Sequence, residues 1–440
     1  MKLYCENDNY KLYNGNMFEL NNVIADNSID AVVTDPPYEL GFMGKSWDAS
    51  GIAFQKETWR KCFNAFKPGG YLLAFGGSRT FHRIAVAIED AGFEIRDTII
   101  WLYGSGFPKS MSISKAIEAK ETYGIANTVH KKKIEMACEG DTFIIKQTNN
   151  GAMGKVKEFE RKIYNPTSNV AKQWDGWGTC LKPSYEPIIV ARKPCEGSCT
   201  DNVLKWGVGG INIDECRVGN ETHKVNINDF SNQHGNKFGN GEPIEKLGEK
   251  EVTGRFPANT ILTHDDSDYE EVCGGMPNDN GVSASRYFYC AKASKRDRDE
   301  GLDGFEEKKT GELQGGRKEG SAGSLRVRTD GSIGENPFAG NGAPKKNTHP
   351  TVKPTALMQY LIRLVSPKGA TILDPFMGSG STGKATMYEN MDRNADYKFV
   401  GIELTDEYLP IAKARIDYVV NHGIILDRGE DETVNEPTEP

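Results

Sequence analysis

The chain has 440 residues and a formal net charge of −8. That length accommodates two or three domains with a sizeable core. It holds no apolar run near membrane-spanning length and no signal-peptide core at Met1–Glu6, so a cytoplasmic protein with no membrane partner is expected. Residues 427–440 carry −5 of the charge, so this tail is expected to be disordered, and a basic face elsewhere is not excluded.

The first hundred residues alternate strand and helix patterns. Ser28–Thr34, Tyr71–Phe75 and Thr98–Tyr103 are apolar enough for buried strands, and Phe81, Ile84, Ala85 and Ile88 share one helix face as core. Asp35-Pro36-Pro37-Tyr38 follows the first strand directly. Two prolines stop the strand and stiffen the turn. An acid, free carbonyls and an aromatic ring are thereby presented at a strand's carboxyl end, where open α/β sheets bind ligands. The bland reading is a strand-ending turn with an incidental acid. The sharper one is methylation of an exocyclic amino group on a nucleic-acid base. Asp35 and the Pro36 carbonyl accept the amino N–H bonds and free the nitrogen lone pair. Tyr38 offers a ring face to an extruded base.

From about Gly104 to Pro344 the texture is rich in Gly, Asn and charge. Tyr185–Arg192 reads as a strand that completes the sheet. Lys131, Lys132 and Lys133, and the run from Lys292 through Lys295 and Arg296 to Arg298, are candidate phosphate contacts or ordinary solvated charge. Glu306–Asn347 is the loosest stretch and is expected to be flexible when no partner is bound. Cys195, Cys199 and Cys216 lack a completing ligand pair, so reduced thiols and no metal are expected.

The last block returns to α/β texture. Leu357, Tyr360, Leu361 and Leu364 line a helix face, and a final helix is expected over Asp406–Val420. Between them, Thr371–Gly383 reads as strand, glycine loop and helix, and Gly378, Gly380 and Gly383 match G-x-G-x-x-G. Glu403, ending the strand Lys398–Ile402, is placed for ribose hydroxyls. Gly378–Lys384 also matches most of a P-loop, but Ala385 stands where a Mg²⁺-binding hydroxyl is needed. A dinucleotide oxidoreductase leaves Asp35–Tyr38 without a role. S-adenosylmethionine, with ribose and no phosphate, suits both motifs.

These motifs resemble those of the amino-group DNA methyltransferases. The similarity rests on Asp35-Pro36-Pro37-Tyr38, on Phe376-Met377-Gly378-Ser379-Gly380 and on His349-Pro350-Thr351-Val352-Lys353-Pro354. The order, catalytic motif before cofactor motif, is similar to the permuted β-group. Gly41–Asp48, Trp177–Pro183 and Phe288–Lys292 also look like bacterial and phage-encoded members. The resemblance implies a Rossmann-like α/β S-adenosylmethionine-dependent methyltransferase fold with a long target-recognition insert. Residues 1–104 then form the catalytic half, 105–345 the recognition region, 346–426 the cofactor half and 427–440 the tail. It implies catalytic Asp35, Pro36, Pro37 and Tyr38. It implies S-adenosylmethionine bound by Asn16, Thr351, Lys353, Asp374, Phe376, Gly378, Gly380 and Glu403, and Trp47 at the DNA. Where the family carries Gly-Asp this chain has Gly15-Asn16, and an Asn carbonyl still accepts from an amino group. The expected partners are double-stranded DNA, a second copy of the chain and a separate restriction endonuclease. The expected reaction is site-specific methylation at adenine N6 by base flipping. N4-cytosine methylation, RNA-base methylation and a catalytically silent DNA-binding subunit are the alternatives.

Overall fold

The structure, a computed structural model, describes residues 1–41, 46–103, 110–123, 142–148, 156–162, 164–228, 246–263, 288–289, 293–308, 325–327, 333–335 and 345–427. The chain divides into two compact units, one from 1–104 with 185–440 and one from 105–184. The first is built on a ten-stranded sheet. In sheet order this runs β1 (Lys2–Glu6), β2 (Tyr10–Asn14), β16 (Lys398–Glu403), β15 (Thr371–Asp374), β3 (Ile29–Thr34), β4 (Phe66–Phe75), β8 (Tyr185–Arg192), β5 (Glu94–Tyr103), β11 (Thr260–Thr263) and β12 (Phe288–Tyr289). Neighbours pair in parallel except that β1 is antiparallel to β2 and β8 is antiparallel to both β4 and β5. Two antiparallel pairs, β9 (Val218–Asn228) with β10 (Lys246–Arg255) and β13 (Leu325–Val327) with β14 (Ile333–Glu335), lie outside it.

The central strands are apolar throughout because both faces are covered. Every residue of β3 is buried. Ala31 and Val33 face one core with Leu357, Leu361, Ala412 and Ile416, whereas Val32 faces the other with Trp59, Ile84 and Ile88. The same alternation separates Tyr71, Leu73 and Phe75 from Leu72 and Ala74 on β4. The helices Thr355–Val365, Ser381–Arg393 and Leu409–Asp427 thus cover one face, and Lys56–Ala65 and Phe81–Asp90 the other. Each fully buried Leu or Ile on these faces stabilises the sandwich by about 1.5–3 kcal/mol.

The sequence expectation that Tyr185–Arg192 joins the sheet is met by β8. Strands β4 and β5 begin earlier than their apolar runs suggest, at Phe66 and Glu94. Of 105–345, the first part up to Ser184 forms the second unit. That unit holds the helix Ile113–Tyr123, the hairpin β6 (Thr142–Thr148) with β7 (Val156–Lys162), and the short helix Asn169–Gln173. Buried Glu118 organises it, accepting from Thr167 N at 2.7 Å and Tyr164 Oη at 2.8 Å. The tail from 428 onward and most of Glu306–Asn347 lie outside the described residues.

Candidate active site

Strand pairing brings the two motifs together. β3 and β15 are parallel neighbours with Ala31 opposite Ile372 and Val32 opposite Leu373. Asp35 therefore follows one strand end while Asp374 closes the adjacent one. A hydrogen bond of 2.7 Å from Thr34 Oγ1 to Asp374 Oδ1 joins them across 340 residues of chain. Asp374 also accepts from Thr382 Oγ1 at 2.6 Å and from Phe376 N at 3.1 Å. Burial pushes its carboxyl up to about 6, against the pull of those donors. Its side chain clasps β3, β15 and the following helix.

Asp35 Oδ2 accepts from Lys353 Nζ at 2.8 Å, and Asp35 Oδ1 is buried with no hydrogen-bond partner. An unmet buried acceptor costs about 1–3 kcal/mol, and it suits an N–H donor brought by a ligand. Lys353 precedes the helix Thr355–Val365 by two residues and is 7% exposed. Its Nζ also lies 3.1 Å from Tyr38 Oη and 3.2 Å from Glu186 Oε2. The rings of Phe75 and Tyr38 lie 4.8 and 5.3 Å from it. Burial alone would discharge this ammonium, but Asp35 and Glu186 outweigh it and raise the pKa above the ordinary lysine value. Tyr38 Oη donates to Glu186 Oε2 at 2.8 Å. Burial and the two carboxylates hold its phenol protonated.

The glycine loop closes the next part of the edge. Gly378 and Gly380 have φ of +54° and +79°, the left-handed region that favours glycine. A Cβ on Gly380 would stand 3.0 Å from Ala412 Cα, and one on Gly378 2.9 Å from His349 Nε2. Their need for glycine thus already arises inside the protein. Glu403 takes one backbone N–H on each oxygen, Gly378 N on Oε2 and Thr405 N on Oε1, both at 2.8 Å. Burial pushes its pKa up against those bonds. Asn14 of β2 pairs with Glu403, so Asn16 follows the strand next to it. The Asn16 Oδ1 caps the turn Met17–Asn22 by accepting from Phe18 N at 3.0 Å.

The remaining sequence candidates separate. Phe376 is half-buried, 6.2 Å from Trp59, and Thr351 is exposed, its carbonyl bonded to His349 Nδ1. Lys353, grouped with the cofactor by resemblance, has its ammonium on Asp35. Trp47 stacks on His349 at 6.2 Å and 17° between planes, with Nε1 buried and unpartnered. Lys295 and Arg296 open the helix Lys295–Asp299, where Arg296 pairs with Glu300 at 2.7 Å. Lys131, Lys132 and Lys292 lie outside the described residues. Lys384, the lysine of the P-loop match, is 1% exposed and paired with Glu300 at 2.7 Å, so it is not offered to a phosphate. Among the described residues no three His, Cys, Asp or Glu side chains cluster as metal ligands, and no helix is long and apolar enough to cross a membrane.

Two residues escaped the sequence reading. Glu186 shows there only as an acid inside an apolar strand pattern. Arg415, fully buried, bonds to Ser379 O and reaches Asp297 O at 2.7 Å, fastening the last helix to the glycine loop. Burial lowers its pKa to about 10.

A family model described as DNA methylase, of the N6/N4 type, matches residues 29–414. The chain is 37% identical over 76 residues to the type II methyltransferase M2.LlaDCHI of Lactococcus lactis subsp. cremoris, covering 17% of this chain and 26% of the relative. It is 39% identical over 74 residues to the DNA adenine methyltransferase YhdJ of Escherichia coli (strain K12), covering 17% and 23%. These matches span about a quarter of the length of the curated relatives. Among solved structures, the PvuII DNA methyltransferase (cytosine-N4-specific) aligns with a TM-score of 0.37 and 13% identity, over 96% of this chain and 94% of that one.

Proposed function

The chain belongs to the N6/N4 DNA methylase family, and from that premise we propose that it transfers a methyl group from S-adenosylmethionine to N6 of adenine in double-stranded DNA. The observation that carries the reading is Asp35 Oδ1, buried and unpartnered just past the strand that pairs with the one leading into the glycine loop. The residues suit the cofactor. Glu403, held by two backbone N–H groups, keeps lone pairs for ribose hydroxyls. Asn16 stands beside it for the adenine amino group. When bound, S-adenosylmethionine supplies an electrophilic methyl group.

The chain's own work is to prepare the nucleophile. An exocyclic amino nitrogen delocalises its lone pair into the ring. Asp35 Oδ1 and the Pro36 carbonyl accept its two N–H bonds and draw the nitrogen toward tetrahedral geometry. Lys353 fixes the other carboxylate oxygen, so the acceptor is in place before the charge develops. A base inside the duplex cannot reach Asp35, so it is extruded and rests on the Tyr38 ring. Adenine is favoured because one curated relative is named an adenine methyltransferase.

The test is to incubate the protein with duplex DNA and labelled S-adenosylmethionine, and to identify the methylated nucleoside. N6-methyladenine is expected. N4-methylcytosine would move the target base while keeping the chemistry, and label only on structured RNA, or none, would overturn the reading.

A further inference from the structure

We propose that Glu186 is a positioning residue that keeps Asp35 Oδ1 open for the base by holding the Lys353 ammonium away from that oxygen. This deepens the reading above and rests on it.

A lysine ammonium has three N–H bonds. Around Lys353 Nζ stand three oxygens: Asp35 Oδ2 at 2.8 Å, Tyr38 Oη at 3.1 Å and Glu186 Oε2 at 3.2 Å. The first two contacts are hydrogen bonds and the third is an ion pair; together they hold the ammonium off Asp35 Oδ1, the oxygen found buried and unpartnered. Glu186 acts on both other members of the set, since the same Oε2 also accepts from Tyr38 Oη at 2.8 Å. It can do so because β8 is inserted antiparallel between β4 and β5, with Glu186 opposite Trp101 and Ile188 opposite Phe75. The start of β8 therefore lies on the same sheet edge as the end of β3, one strand away across β4. A buried ammonium that loses one carboxylate seeks replacement contacts. The nearest unmet acceptor is Asp35 Oδ1, and an ammonium bridging both oxygens would compete with the base amino group. Glu186 touches neither base nor cofactor in this scheme and works through Lys353 and Tyr38.

The test uses the full-length chain with Glu186→Leu, Glu186→Gln, Lys353→Met and the double variant Glu186→Leu/Lys353→Met. Glu186→Leu is expected to lower kcat on the order of a hundredfold, as for a reacting group displaced by about an ångström, with S-adenosylmethionine Kd unchanged. Glu186→Gln, nearly the same shape, is expected to fall between it and the unsubstituted chain, and it carries the test if the leucine variant does not fold. In the Lys353→Met background, loss of Glu186 is expected to add nothing further, because no ammonium remains to be misplaced. Unchanged kcat, full additivity or a loss confined to cofactor affinity would overturn the assignment. A crystal structure of the Glu186 variant separates this idea from the proposed activity. Nζ bridging both Asp35 oxygens is expected whatever the substrate, and Nζ left on Oδ2 alone refutes the positioning role. A chain without substitutions that methylates no DNA would refute the function instead.

Discussion

Tyr38 joins two roles that the sequence kept apart. Read from its motif, it is a ring for a base to lie on, and removing its hydroxyl should be mild. In the fold that hydroxyl donates to Glu186 and accepts from Lys353, and the ammonium lies 5.3 Å from the ring centroid. Tyr38→Phe leaves a buried carboxylate short of a donor and an ammonium short of an acceptor. Each unmet group costs about 1–3 kcal/mol. If half or more of this reaches the transition state, kcat falls on the order of tenfold, while cofactor affinity stays the same. Stopped-flow methylation with Tyr38→Phe and Tyr38→Ala separates the contributions. A Phe variant as fast as the unsubstituted chain would return the whole role to the ring face.

At the scale of elements, the neighbouring strands β15 and β16 each end in a carboxylate, and the two answer to different tests. Glu403 ends β16, and its oxygens are already fixed by Gly378 N and Thr405 N. Glu403→Ala removes the acceptor proposed for the ribose hydroxyls and the tie between β16 and the glycine loop. Calorimetry is expected to show S-adenosylmethionine binding weakened by about 1.5–3 kcal/mol for each charge-assisted hydrogen bond lost. Unchanged binding would place the ribose elsewhere. Asp374 ends β15 and responds to pH. Its carboxyl titrates near 3.8 when unfolded and at about 6 when buried in the fold. Between those values the folded chain holds a proton that the unfolded chain has released. Stability therefore falls as pH rises from about 4 to about 6, by up to roughly 3 kcal/mol from this group, and is level above that. Asp374→Asn removes the titration. Its melting temperature should lack this downward component across that window, so the difference from the unsubstituted chain changes with pH. Parallel melting curves would exclude the effect.

On the scale of the whole molecule, the parts most legible in the sequence were those buried on both sides. β3, β15 and β16 gave continuous apolar runs, and each leads into a carboxylate visible from its neighbours: Asp35 just past β3, and Asp374 and Glu403 as the last residues of β15 and β16. Pairings between distant segments were not legible. Nothing in Tyr185–Arg192 says that it enters between β4 and β5 rather than at an edge, and Glu186 becomes a site residue only through that insertion. Lys353 likewise sits in a stretch whose resemblance pointed to the cofactor, and only the packing of Thr355–Val365 against the sheet brings its ammonium to Asp35. The same topology makes a prediction about the second unit. Leu102 near the end of β5 pairs with Tyr185 at the start of β8, so the chain leaves the sheet for 105–184 and returns beside its point of departure. A short turn can close adjacent antiparallel strands. Replacing 105–184 with such a turn is expected to leave a cooperatively unfolding protein that binds S-adenosylmethionine with nearly unchanged affinity, because Asn16, the glycine loop and Glu403 all lie in the first unit. Methylation of the DNA site is expected to be lost, since 105–184 is read as part of the target-recognition region. Calorimetric unfolding, cofactor titration and a methylation assay on the same shortened chain check the three expectations. Loss of cofactor binding would tie the second unit to the core, and full activity on the original site would move target recognition to the residues after 185.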